Sequence, residues 1–348
     1  MIMVSVGTRP EAIKMIPVVN ALRQRGEEVR AVCTGQHGDL IRQVEKSFGF
    51  KFDLWTKEYR AGLSLSQQVG EVIVGTSNHL EDAQCVCVHG DTATTMGAAL
   101  AAFMEGVPVA HVNAGMRTYR LDSPFPEEGI RQCVDRLSTW NFASTIREEE
   151  NLRKEKIDEF RIFVTGNTAI DVLRAYQEEA RCPQGYNGTD EFLVLVTCHR
   201  RENYPDNMRK LAAILLNLDA RVVVVSHPNP KVSKIFNGSG VEVLPPLGYL
   251  EMIWMLQKSG MIITDSGGLV EEAAELGVPA VIFREATERI AAVVKGRAVL
   301  SLDEDAIAGS LERVKRDEWK RVPSEIFGDG RASGRIADIL IDSLRSKP

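Results

Sequence analysis

A chain of 348 residues is longer than one hydrophobic core ordinarily organises, so two domains of roughly 150 residues each are expected. The composition is that of a soluble globular protein, with 44% hydrophobic residues, 26% charged residues and a formal net charge of −6. No apolar run reaches the roughly 18 residues that cross a bilayer, and no basic stripe suits duplex nucleic acid or a membrane surface.

The opening Met-Ile-Met-Val-Ser-Val-Gly lacks the basic region and small-residue cleavage site of a secretory leader, so residues 2–6 are expected to form a first β-strand. Apolar runs at 29–33, 85–88, 107–112 and 162–164 follow as strands, separated by amphipathic stretches. A helical, acid-rich segment at 169–180 leads into turn formers at 181–190, which places a hinge between Gly166 and Asp190. The alternation resumes with strands at 192–197, 221–226, 241–244, 261–264 and 280–283, and an amphipathic helix at 332–344 is suited to packing back on the first domain. Continuous apolar strands separated by helices predict parallel sheets covered on both faces. The expected fold is α/β with two Rossmann-like doubly wound domains, residues 1–168 joined by the tail helix 332–348, and residues 169–331. Six scattered cysteines (Cys33, Cys85, Cys87, Cys133, Cys182, Cys198) supply neither a metal site nor a disulfide framework, and point to reduced thiols in the cytoplasm.

Ligands of open parallel sheets sit beyond the carboxyl ends of the strands, and the segments there are polar. Gly7-Thr8-Arg9-Pro10-Glu11 is either an anion site at a helix start or an ordinary loop with a solvated arginine. His89-Gly90-Asp91-Thr92 sets a carboxylate at a strand end, where it caps a helix or does chemistry. Asn113 and Arg117 follow the next strand, and Pro124-Phe-Pro-Glu127-Glu128 then opens a helix that carries Arg131. In the second half, His199-Arg200-Arg201 closes a strand with three potential cations, and His227 is placed to cap a turn. Thr264-Asp265-Ser266-Gly267-Gly268 is the sharpest local signal: small residues at a helix start leave backbone N–H groups open to phosphate oxygens, and an acid one turn later, Glu271 or Glu272, can reach ribose hydroxyls.

These segments, with Thr287-Glu288-Arg289, occur in the order and with the spacing of the non-hydrolysing UDP-N-acetylglucosamine 2-epimerases, a family the chain resembles over nearly its whole length. The resemblance implies a glycosyltransferase B-type fold with the active site in the interdomain cleft and UDP held mainly by the second domain. It implies Arg9, His199, Ser266, Gly267, Gly268 and Arg289 around the diphosphate, Glu272 on the ribose, uracil against backbone near Met252, and Lys14, Asn113 and Arg131 as further substrate contacts. The implied chemistry is elimination of UDP to a 2-acetamidoglucal and re-addition after protonation from the other face, with no nicotinamide and no metal. Asp91 and Glu127 are the expected proton-transfer groups, and His199 is counted with them because charge develops on departing UDP. Activation by substrate at a second site would involve Gln36, His37 and Arg60. A homodimer is implied as well.

The chain departs from the family at several positions. Asn113 stands where a glutamate is usual, either as a hydrogen-bonding amide or as the mark of a changed activity; Ile290-Ala291 replace a common Pro-Glu; His89 replaces a glutamine; and Asp39 stands where substrate-activated members have glutamine. Competing functions are a hydrolysing epimerase, an epimerase of a related UDP-2-acetamido sugar, and a non-catalytic UDP-sugar binding protein.

Overall fold

The computed structural model describes residues 1–36, 38–56, 62–188 and 191–346. Ile2–Val6 forms β1 with all five residues buried, the outcome dictated by an apolar run that has no polar face to show to water. Arg9–Gln24 (α1), Val29–Cys33 (β2), Gly38–Phe48 (α2), Leu54–Trp55 (β3), Leu65–Ser77 (α3), Cys85–His89 (β4) and Ala93–Met104 (α4) follow. Val109–Ala114 (β5), Glu127–Leu137 (α5), Trp140–Ala143 (β6), Ile146–Lys154 (α6), Ile162–Val164 (β7) and Thr168–Tyr176 (α7) come next. Among the described residues these strands make a seven-stranded parallel sheet in the order β3-β2-β1-β4-β5-β6-β7.

The second series is Leu193–Thr197 (β8), Asp206–Leu216 (α8), Arg221–Val225 (β9), Pro230–Asn237 (α9), Glu242–Leu244 (β10), Tyr249–Lys258 (α10), Met261–Thr264 (β11) and Gly267–Leu276 (α11). Ala280–Ile282 (β12), Ile290–Val294 (α12), Ala298–Leu300 (β13), Glu304–Lys315 (α13) and Ala332–Arg345 (α14) finish the chain. The described strands pair in parallel as a six-stranded sheet, β10-β9-β8-β11-β12-β13. Both sheets are therefore doubly wound α/β layers. One compact unit runs from Met1 to Val172 and takes up the chain again from Gly328 onward; the other is Leu173–Phe327.

Within the first unit α14 packs on α1. The Arg25 Nε donates to Asp338 Oδ1 at 2.6 Å, and the buried Asp171 carboxylate accepts the first helical N–H groups of α14 from Ala332 and Ser333 at 3.1 and 2.7 Å. An anion at a helix start satisfies donors that the helix itself cannot.

Three strands carry no signal that the alternation of apolar runs picks out: β3 has two residues, β13 three, and β6 contains Asn141 in the run Trp-Asn-Phe-Ala. The strand expected to end at Val112 continues to Ala114. Its pairing with β6 shifts register between Val112 and Ala114, and Asn113 takes a left-handed φ of 67°, a conformation asparagine tolerates better than most residues. Asn113 thus lies in a bulge inside β5 and not in the loop after it.

The strand orders decide where ligands can sit. The order reverses between β1 and β4 in the first unit and between β8 and β11 in the second, and in doubly wound sheets the crevice at the carboxyl end of such a reversal is the binding place.

Candidate active site

At the first reversal the loops after β1 and β4 are joined through Glu11. Its carboxylate accepts the backbone N–H groups of Gly7 and Thr8, each at 2.8 Å, and the hydroxyls of Thr92 and Thr95, the latter at 3.1 Å. Burial pushes the Glu11 carboxyl above its ordinary range, and the bonds from Thr92, Gly7 and Thr8 offset this only in part. Glu11 is three residues beyond Thr8, the acid position of a capping box, which is the sequence signal that identifies it. Gly7 is required by the closeness of the loops: a β-carbon there would stand 1.9 Å from Thr94 Oγ1 and 2.5 Å from Thr34 Oγ1, two hydroxyls bonded to each other at 2.7 Å. Arg9 starts α1 half-buried, and Lys14 is buried further along the same helix. Gln36 accepts from Thr94 Oγ1 at 3.1 Å. His37 and Arg60 lie outside the described residues.

Asp91 follows Gly90, and Thr92 caps α4 by accepting the Thr95 N–H at 3.2 Å. Asp91 and the cap are therefore separate residues: Thr92 does the capping and leaves the Asp91 carboxylate, 27% exposed, for other work. Arg131, whose side chain is 2% exposed, donates from Nε to Asp91 Oδ2 at 2.7 Å and from a terminal nitrogen to Glu128 Oε2 at 3.1 Å. This ion pair brings α5 to the end of β4. The two acids that open α5 divide by role. Glu128 is fully buried and accepts the N–H groups of Thr118 and Tyr119 at 2.9 and 3.0 Å, so it shapes the loop after β5. Glu127 is the half-buried first residue of the helix. Asn113 is buried in its bulge with Oδ1 accepting the Ser144 hydroxyl at 2.7 Å.

At the second reversal the organising group is Asp265, which is fully buried at the end of β11. Its Oδ2 accepts the backbone N–H groups of His199 and Arg200, both at 2.8 Å, and the Asn203 amide at 3.1 Å, so one carboxylate folds the whole loop after β8. Burial alone would push this carboxyl up, but His199 and the donors from Arg200, Asn203 and His199 prevail and hold it below the usual range. The His199 ring stays 36% exposed, with Nδ1 3.3 Å from Asp265 Oδ1 and one face stacked on His227 at 5.1 Å. His227 holds its own turn, Nδ1 accepting the Asn229 N–H at 3.1 Å.

Ser266 precedes α11 without a side-chain cap bond, and the first turn of that helix carries no acid, so its leading N–H groups are presented by Gly267 and Gly268. Arg289 approaches this turn from beneath. It donates to Glu271 Oε1 at 3.0 and 2.7 Å and pairs with Glu288, and a β-carbon on Gly267 would stand 2.4 Å from its guanidinium carbon. Arg289 therefore seats α11 through the chain's own carboxylates. Glu272 is buried in the same helix, and burial together with this neighbouring carboxylate pushes the Tyr249 hydroxyl far above its ordinary range. Met252 is half-buried in the first turn of α10, and its N–H is taken by Gly248 O at 3.0 Å.

The family model described as UDP-N-acetylglucosamine 2-epimerase matches residues 20–341. A UDP-N-acetylglucosamine 2-epimerase of Campylobacter jejuni is 36% identical, with 98% of this chain and 97% of that protein covered. The crystal structure of UDP-GlcNAc 2-epimerase from Neisseria meningitidis bound to UDP-GlcNAc superposes with a TM-score of 0.93 at 34% identity, covering 98% of this chain and 99% of the other. The S. aureus MnaA–UDP co-structure superposes with a TM-score of 0.88 at 33% identity, covering 100% and 98%.

Proposed function

The chain belongs to the UDP-N-acetylglucosamine 2-epimerase family, and from that premise we propose how it works: it interconverts UDP-N-acetylglucosamine and UDP-N-acetylmannosamine by eliminating UDP and adding it back. In the second unit, the leading N–H groups of α11 at Gly267 and Gly268, the Ser266 hydroxyl and the His199 ring take the diphosphate, with Arg289 beside the turn and Glu272 on the ribose. Fixed donors stabilise charge that develops on a leaving group because they need no reorganisation when the bond breaks. In the first unit, Asp91 and Glu127 move the proton at C2, Arg131 orients Asp91, and Arg9, Lys14 and Asn113 contact the substrate. Loss of the C2 proton and departure of UDP from C1 are halves of a single elimination, so the reaction needs both a proton acceptor and a stabilised leaving group.

The observation that carries the reading is the Asp91–Arg131 ion pair, 2.7 Å long, which ties a strand-end carboxylate to the helix that starts with Glu127. Inversion requires proton transfer on two faces of C2, and therefore two such groups. Asn113 cannot serve, because an amide takes no proton usefully near neutral pH and its oxygen already accepts from Ser144. Proton NMR of UDP-N-acetylglucosamine with the protein in heavy water is the test. Deuterium at C2 of a UDP-linked manno product is expected; free N-acetylmannosamine with equimolar UDP would identify a hydrolase, and an unchanged spectrum with UDP bound would identify a binding protein.

We further propose a cytoplasmic homodimer. Six free cysteines suit a reducing compartment, and exposed Val74, Phe103 and Met104 on the paired helices α3 and α4 offer apolar surface for a second copy. Light scattering on the purified protein gives the mass that checks it.

A further inference from the structure

Behind the first strand reversal lies a buried charge network that the proposed chemistry does not touch. His111 is in the middle of β5, and its side chain and that of Asp135 on α5 have no exposure. The ring Nδ1 is 2.6 Å from Asp135 Oδ1, and Nε2 is 2.8 Å from the carbonyl oxygen of Gly90, the residue before Asp91. A carbonyl oxygen only accepts. The other Asp135 oxygen takes the Gly115 N–H at 3.1 Å and an Arg117 terminal nitrogen at 2.7 Å, both of which only donate. Arg117 is in turn held by Glu155 at 2.6 Å.

This arrangement leaves one assignment of protons. With Asp135 facing Arg117 and Gly115 it is a carboxylate, which agrees with its being held below the usual range: burial raises it, but His111 and Arg117 lower it further. Both ring nitrogens of His111 then face acceptors, and a neutral ring would set one lone pair against a buried oxygen. Where neither side chain is exposed to solvent, such a pairing costs the full desolvation of the group.

We infer that His111 is a positioning residue for the Asp91 loop, a buried imidazolium that donates from both ring nitrogens and so fixes the Gly90 carbonyl at the turn into Asp91. The same ion pair anchors α5, the helix that carries Glu127 and Arg131, so one proton sets the spacing of both proton-transfer groups. Gly90 has a left-handed φ of 69° and turns the chain sharply at this point, so a shift of its carbonyl is passed directly to the next side chain. The inference rests on Asp91 acting at C2 as proposed above.

The test combines a spectroscopic measurement on the unaltered protein with kinetics on variants. In uniformly 13C,15N-labelled protein, the His111 ring resonances, assigned through the His111 backbone signals of the unaltered chain, should show protons on both ring nitrogens at neutral pH. A nitrogen without a proton would overturn the inference whatever Asp91 does, and this measurement stands even if the variant fails to fold. In folded His111→Gln, kcat for C2 deuterium incorporation should fall by about 10²-fold, the cost of a misplacement on the order of an ångström, with KM and UDP affinity little changed. A merely structural histidine would lower stability and leave kcat per folded molecule intact, and that result overturns the inference while the proposed function stands. If Asp91→Asn retains exchange at C2, Asp91 leaves the mechanism and this inference falls with that assignment, while the epimerisation itself stands.

Discussion

Asp265→Asn isolates the contribution of one buried charge to the loop after β8. The carboxylate accepts the His199 and Arg200 N–H groups at 2.8 Å, the Asn203 amide at 3.1 Å and the Cys198 thiol at 3.3 Å, and an asparagine oxygen in the same place keeps these donors but loses the charge. A hydrogen bond to a charged acceptor contributes about 1.5–3 kcal/mol against about 0.5–1.5 for a neutral one, so each of the three N–H bonds weakens by about 1 kcal/mol. Relief from burying an ion returns part of this, and the net loss should be about 1–2 kcal/mol at pH 7. The pH dependence fixes the cause. Because Asp265 is held below the usual carboxylate range, its stabilisation is complete above the unfolded-state value of about 4 and is lost as the pH falls through the lower folded value. Urea unfolding of both proteins from pH 7 down to pH 3 should therefore show a gap that is constant above about pH 5 and narrows below it. A gap of the same size at pH 3, or a variant as stable as the parent at pH 7, would refute the reasoning. UDP affinity should drop together with stability, since the loop that presents His199 is the part loosened.

Other substitutions probe the first unit and the turn before α11. Asp91→Asn and Glu127→Gln should each reduce C2 deuterium incorporation by at least about 10²-fold while calorimetry finds UDP binding unchanged. Gly7→Ala forces a methyl to within 1.9 Å of Thr94 Oγ1 and should destabilise the fold by about 3 kcal/mol in urea unfolding. Glu11→Gln turns one accepting oxygen into a donor, and the Thr92 and Thr95 hydroxyls can rotate to accept from it where backbone N–H groups cannot. The loss should be about 1 kcal/mol or less, against about 2–3 for Glu11→Ala, which strands the Gly7 and Thr8 donors. Since burial holds the Glu11 carboxyl above its ordinary range, ionising it weakens the parent as the pH rises, so the deficit of Glu11→Gln measured by denaturation should shrink between pH 4 and pH 7. Gly267→Ala must displace Arg289 and should weaken UDP binding about tenfold, a loss of about 1.4 kcal/mol, as read by calorimetry.

The sequence by itself determined the class of the fold, the polar loops after the strands and the family. Apolar runs that alternate with amphipathic stretches can be buried only as covered parallel strands, and Gly7, Asp91, Glu127, His199 and Ser266 stand out because their local chemistry differs from that of an ordinary turn. Strand order is not a local property. Only pairing across the chain shows that the loop at Gly7 lies beside the loop at Gly90, and the loop at His199 beside Asp265. The same limit hid β6 and β13, whose place is set by the neighbour each strand pairs with and not by its own composition. It also hid the division of labour between Glu127 and Glu128, adjacent acids that a helix turns to different surroundings, and the partners of Arg289. His111 and Asp135 are 24 residues apart and meet at 2.6 Å. Each alone has the pattern of an ordinary helix or strand residue, and the complete burial that makes their protons count exists only once the two elements are packed together.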